Sequence, residues 1–184
     1  MTGLVRMFDA SASIPTTVPP GFGAVAGYIG GDTPHVWTPK EWQRFSSLRQ
    51  FPIWVDDQET ADPIVSGTKA AAAAKKLGWR DDHSRAIVLD IEQTVKPVWV
   101  SKFSQRINTL GYLLIVYGAG DFVAKVKAAR NWVANGSVNP GFVTGQYAVA
   151  YQVYFDQKLN GGVVDISIIG DDMLKLGGVG ARKG

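Results

Sequence analysis

Runs of apolar residues recur along the chain at 5–8, 24–29, 52–55, 86–91, 113–117, 132–134, 147–154 and 163–169, and most are apolar at nearly every position. A strand with one face in water alternates apolar and polar residues, so runs without alternation are read as parallel strands covered on both faces. Helical signals fall between them. Thr38-Pro39-Lys40-Glu41 supplies an N-cap, a proline at the first helical position and a glutamate at the third, a capping box that opens a helix expected to run to residue 49. Ser66 is read as the start of an alanine-rich helix that Gly78 closes, because glycine accepts the left-handed conformation after a last turn. Pro97 begins a third helix with Trp99, Phe103, Ile107 and Leu110 on one face and Gly111 as its stop, and Asp121 is read as the cap of a fourth reaching Arg130.

Strands alternating with helices imply βαβ units and a parallel sheet. Closure into a barrel competes with an open doubly wound sheet. Against the open sheet, neither G-x-G-x-x-G nor a P-loop follows the first strand. Residues 14–20 are too short and proline-rich for a full helix, so the barrel should be irregular. The fold expected is therefore α/β, an irregular (β/α)8-type TIM-like barrel, as one domain over residues 1–176 with a flexible, glycine-rich basic tail at 177–184.

Composition narrows the function classes. At 184 residues, with 46% hydrophobic and 19% charged, the chain has the make-up of one globular domain. No segment has the apolar length of a membrane span. The start, MTGLVRMFDAS, lacks the layout of a secretory signal, so export by that route is not expected. The absence of cysteine excludes disulfides and thiolate chemistry. A net charge of +3 and a pI near 9.1 favour an anionic partner, but the excess is spread over Lys75, Lys76, scattered side chains and Arg182-Lys183, with no basic run interleaved with aromatics. Nucleic acid is not an expected partner.

The chemistry-bearing signal is Ala86-Ile87-Val88-Leu89-Asp90-Ile91-Glu92. Residues two apart on a strand share a face, so Val88, Asp90 and Glu92 point one way and Ile87, Leu89 and Ile91 point to covering helices. The acids come at the C-terminal end of the strand, where barrels build their sites. Asp9 ends the first run and Asp165 lies in the last, both among apolar neighbours. A buried carboxylate costs several kcal/mol unless paired, hydrogen-bonded or protonated. In a closed barrel the first and last strands pair, which would make Asp9 and Asp165 neighbours, with Asp90 and Glu92 facing them across the mouth.

Phe8-Asp9-Ala10-Ser11, Leu89-Asp90-Ile91-Glu92, Val116-Tyr117-Gly118, Tyr151-Gln152-Val153-Tyr154 and Val164-Asp165 resemble, in order and spacing, the motifs of family 25 glycoside hydrolases, lysozymes with an irregular (β/α) barrel. Ala26-Gly27-Tyr28-Ile29-Gly30-Gly31 followed by Thr38-Pro39-Lys40-Glu41 also resembles related glycoside-hydrolase-like domains of actinobacteria and their phages. The resemblance implies that Glu92 is the general acid, that Asp90 orients the acetamido group or water, and that Asp9 and Asp165 complete the cluster. Clustered charges keep one carboxyl protonated while its neighbours ionise.

Tyr28, Tyr117, Tyr151 and Gln152 are the expected sugar contacts within those motifs, Tyr151 standing where a Trp usually precedes the Gln. Trp54 and Asp56 are added at the end of the third run. Among six tryptophans, Trp37, Trp54 and Trp132 lie where a sugar face could stack, and one or two are expected to do so. His35 and His83 read as surface residues, no metal-ligand spacing is present, and no cofactor is expected. The function expected is cleavage or binding of the glycan of peptidoglycan or a related amino-sugar polymer. The rival is a catalytically silent barrel in a phage tail or capsid, with other phage structural proteins as partners. Phage origin is the expectation for a wall-directed enzyme lacking a signal.

Overall fold

A computed structural model of the protein describes residues 4–91, 96–126, 130–134 and 148–179. The elements run β1 (Val5–Ala10), β2 (Ala24–Gly31), α1 (Pro39–Arg44), β3 (Arg49–Val55), α2 (Pro63–Lys76), β4 (Ala86–Ile91), α3 (Pro97–Thr109), β5 (Leu113–Ala119), α4 (Gly120–Val126), β6 (Asn131–Ala134), β7 (Ala148–Leu159), β8 (Gly162–Ile169), α5 (Asp171–Leu176) and β9 (Gly178–Val179). Strands pair in the order β2-β1-β8-β7-β6-β5-β4-β3, and a β2–β3 pairing closes the ring into an eight-stranded barrel. As expected, no helix forms between β1 and β2, and the barrel is irregular. No described helix is long and apolar enough to cross a membrane.

Side chains alternate across the barrel wall. Met7, Ala26, Ile53, Val88, Ile115 and Trp132 belong to one buried cluster, which fills the interior. Phe8, Val25, Ile87, Leu89 and Ile91 belong to another, shared with Trp42, Ala70, Trp99 and Phe103 of the helices. The reading that Val88 and Asp90 face inward while their odd-numbered neighbours meet the helices holds.

The sheet is not parallel throughout. From β1 to β7 the pairings β1–β2 through β6–β7 are parallel, but β7–β8 and β8–β1 are antiparallel. The reason is local: only Asn160 and Gly161 separate β7 from β8, and both have positive φ, 46° and 81°. A two-residue turn of this kind joins antiparallel strands and leaves no room for a crossover helix.

Helix boundaries also depart from expectation. The first helix has its capping box at Thr38 and Glu41 but ends at Arg44 rather than residue 49, because Phe45 and Leu48 turn inward and Arg49 already pairs with Ala24 and Val179. The second starts at Pro63, not Ser66. Asp62 caps it, accepting from the backbone of Ile64 and Val65 at 2.8 and 2.9 Å. Asp121 lies inside α4, which begins at Gly120. Gly178–Val179, at the start of the stretch read as a flexible tail, pairs antiparallel with Arg49 and Gln50.

Candidate active site

The site begins with β1. Asp9 is inward by the same alternation that buries Met7, and its Cα partners are Ala26 on β2 and Asp165 on β8. The end of β1 is anchored from outside, where the Trp37 indole donates to the Ala10 carbonyl at 3.0 Å. Trp37 can lie there because Gly27 has no side chain: a Cβ would come within 2.4 Å of its ring.

Because β8 runs antiparallel, its early residues lie at the same end of the barrel as the ends of the parallel strands. Asp165, near the start of β8, is therefore level with Asp9 instead of at the barrel floor. Asp90 closes β4 beside Tyr117 of β5. Tyr28 reaches from β2 past β3, and its hydroxyl donates to Asp90 Oδ2 at 2.9 Å. On the opposite wall the Tyr117 hydroxyl donates to Gln152 Oε1, and Gln152 Nε2 donates to Asp165 Oδ2 at 2.7 Å. The second Asp165 oxygen accepts from the Asp156 backbone N–H at 2.8 Å. That contact depends on an irregularity in β7 between Tyr154 and Gln157, where Asp156 takes a left-handed φ of 51°.

These groups surround an open cleft of about 360 Å³ lined by Asp9, Ala10, Ser11, Ala12, Ser13, Tyr28, Tyr117, Asp156, Val163 and Asp165. Its walls are tied together. Val163 N–H donates to the Ser13 carbonyl at 2.8 Å, and Thr16 N–H donates to the Asn160 carbonyl at 3.0 Å, so the β7–β8 hairpin is docked on the loop after β1.

The electrostatics follow from burial. Asp9 is 6% exposed, and its Oδ2 has no hydrogen-bond partner among the described residues. Its carboxyl is held well above the ordinary aspartate value, first by burial, then by the charges of Asp165 and Asp90. Asp165 is also raised, chiefly by burial, with the donors from Asp156 and Gln152 working against the rise. Burial and the Asp90 charge push the Tyr28 phenol upward, which keeps it a hydroxyl donor.

The cleft thus gathers Asp9, Asp165, Tyr28 and Tyr117, with Asp90 and Gln152 hydrogen-bonded into the same set. Glu92 lies outside the described residues. Trp54 and Asp56 are elsewhere. Trp54 is buried in the layer between barrel and helices, its indole donates to Asp56 Oδ2 at 3.2 Å, and Ser66 of α2 donates to the same oxygen. Tyr151 alternates with inward Gln152 and packs against that outer layer, so it lines no part of the cleft. None of the six tryptophans lines it either: all are buried, and Trp132 lies inside the barrel with its ring 4.4 Å from that of Tyr117. Ser13 and Asp156 also line the cleft, though no motif of the sequence marks them. Asn160-Gly161 between two apolar runs was the available signal for the hairpin that brings Asp156 and Val163 here, while nothing in the local sequence marks the irregularity in β7.

The chain has the fold of the GH25 lysozymes, an eight-stranded barrel, here with inward acids at one mouth. The CTP1L endolysin superposes with a TM-score of 0.70 at 17% identity, over 93% of this chain and 68% of the endolysin. The bacterial lysozyme from Streptomyces coelicolor superposes with a TM-score of 0.66 at 14% identity, over 98% of both chains. A family GH25 lysozyme from Aspergillus fumigatus gives 0.60 at 14% identity, over 98% of this chain and 100% of the other. No protein-family model and no curated protein matches by sequence.

Proposed function

We propose that the protein hydrolyses a β-linked amino-sugar polymer of the peptidoglycan type by carboxylate acid catalysis. The observation that carries this reading is the convergence of Asp9, Asp90 and Asp165 from three strands on one barrel mouth, with Asp9 and Asp165 in direct register. Such a gathering opposes stability, and it suits a reaction in which a glycosidic oxygen must gain a proton while positive charge develops on the sugar. Fold likeness to muramidases and an endolysin directs the choice of substrate toward the cell wall.

In this reading Glu92, two residues beyond Asp90, is the general acid. Asp90, braced by Tyr28, orients the acetamido group or water. Asp165 is held by Gln152 and the Asp156 backbone, and Tyr28 and Tyr117 present the aromatic surface that meets the sugar. The deciding experiment is turbidity loss and sugar release from purified cell walls by the parent, Asp90→Asn and Glu92→Gln. Release by the parent that both substitutions abolish supports the reading. Intact walls with the parent, or unchanged release in both variants, overturns it.

A further inference from the structure

We propose that Asp9, in addition to the general acid, carries a proton in the free protein, a neutral carboxylic acid at neutral pH whose lack of charge lets Asp90 and Asp165 share one cleft as anions. This deepens the glycan-hydrolase reading by assigning Asp9 a positioning role, acting through its neighbours rather than on the sugar.

An anionic carboxylate in a buried site needs donors, and each carboxylate here is served differently. Asp165 receives one donor on each oxygen, Gln152 Nε2 at 2.7 Å and the Asp156 N–H at 2.8 Å. Asp90 receives the Tyr28 hydroxyl at 2.9 Å. Asp9 Oδ2 is buried and receives none among the described residues. Among the described residues, the titratable groups around it bring no compensating positive charge: Asp165 across the β1–β8 ladder, Asp90 from β4, Tyr28 from β2, and Tyr117 and Asp156 on the walls of the same cleft. Three anions in one low-dielectric mouth repel, and the proton settles on the site least able to support charge. By donor supply, that site is Asp9. Burial and the two neighbouring carboxylates raise its carboxyl in the same direction.

The consequence is a division of labour. A neutral Asp9 sets no charge opposite Asp165 across the β1–β8 ladder, so Asp165 and Asp90 keep accepting from Gln152 and Tyr28 in the free protein. The walls of the cleft are then organised before any sugar arrives.

Infrared difference spectroscopy of the free protein in deuterated buffer tests this without reference to hydrolysis, so a failure of the hydrolase reading is distinguishable from a failure here. The expected result, in a Glu92→Gln background that removes the general acid's own band, is a protonated-carboxyl C=O band at neutral pH that is lost when Asp9→Asn is added. In Asp165→Asn, with one repelling charge gone, the band should persist to higher acidity only and vanish at a lower pH than in the parent. No such band in the Glu92→Gln background at neutral pH, or the same band surviving when Asp9→Asn is added, overturns the proposal. Should Asp9→Asn fail to fold, a ¹³C NMR titration of the Asp9 carboxyl in the unaltered protein gives the answer. A carboxylic-acid shift retained through neutral pH supports the proposal, and titration in the ordinary aspartate range overturns it.

Discussion

Asp165 stands directly opposite Asp9 across the β1–β8 ladder, two carboxyls paired where cross-strand like charges are destabilising. Both are raised above the ordinary value of 3.8. A raised carboxyl means that the folded chain holds protons the unfolded chain has released. The stability it contributes is present below the unfolded value and lost as pH rises through the folded one. Asp9→Asn should therefore raise the melting temperature at neutral pH, by about 0.5–2 kcal/mol of stability, and leave it nearly unchanged in acid below the ordinary aspartate range. Thermal melts from acid to neutral pH read this directly: a variant whose melting point falls with rising pH as steeply as the parent's would remove Asp9 as the cause.

Glu92→Gln should lower wall hydrolysis by about two or more orders of magnitude while the melting temperature stays close to the parent's, because an amide of the same shape cannot give up a proton. His35→Gln is the contrast. His35 is engaged with Glu41 at 3.1 Å in the loop before α1, so its loss should leave turnover intact. Full sugar release by Glu92→Gln would take that residue out of the acid's role.

Tyr28→Phe removes the hydroxyl that donates to buried Asp90 and leaves the ring in place. Loss of a donor to a charged acceptor should cost about 1–3 kcal/mol. The same variant should hydrolyse walls more slowly, since Asp90 then loses the bond from Tyr28 that braces it. An unchanged melting point with unchanged turnover would mean that the Tyr28 bond supports neither fold nor site.

Much of this was legible before any coordinates. Residues 86–91 carry alternation and apolarity together, so the inward face of Asp90 and the outward face of Leu89 follow from period two alone. The pairing of first and last strands follows from closure. The direction of β8 was missed because apolar runs report burial and not polarity of the chain, although Asn160-Gly161 marks a hairpin on its own. Trp54 and Asp56 sit away from the cleft for a related reason: Trp54, within β3, alternates with inward Ile53 and Val55, and its indole and the Ser66 hydroxyl both donate to Asp56 in the outer layer. The irregularity in β7 that turns the Asp156 N–H toward Asp165 leaves no trace in the local pattern, since it is settled by pairing with β8.

That outer-layer placement is itself testable. Asp56→Ala leaves the Trp54 indole N–H and the Ser66 hydroxyl without their acceptor, and should cost about 1–3 kcal/mol. Turnover per folded molecule should match the parent's, because Asp56 does not line the cleft. A fall in turnover or glycan affinity, measured at a temperature where the variant is fully folded, would return Asp56 to the site.

Asp165→Asn completes the comparison with Asp9→Asn, because both carboxyls are raised chiefly by burial but differ in hydrogen-bond supply. Both oxygens of Asp165 accept, from Gln152 Nε2 and from the Asp156 N–H. An asparagine there has one oxygen and one amide nitrogen, so whichever way it turns it sets a donor against a donor. The relief of charge is then opposed by a lost bond and an unsatisfied N–H, a penalty of about 1–3 kcal/mol. At Asp9 no donor among the described residues faces Oδ2, so the substitution spares the folded chain the cost of keeping that carboxyl protonated and breaks nothing at that oxygen. We therefore expect neutral-pH melts to rise for Asp9→Asn and to fall for Asp165→Asn. Rises in both would mean that repulsion outweighs the hydrogen bonds throughout the mouth. Falls in both would mean that the acids form a structural network in which Asp9 is as firmly held as Asp165, and the strained catalytic reading would have to be abandoned.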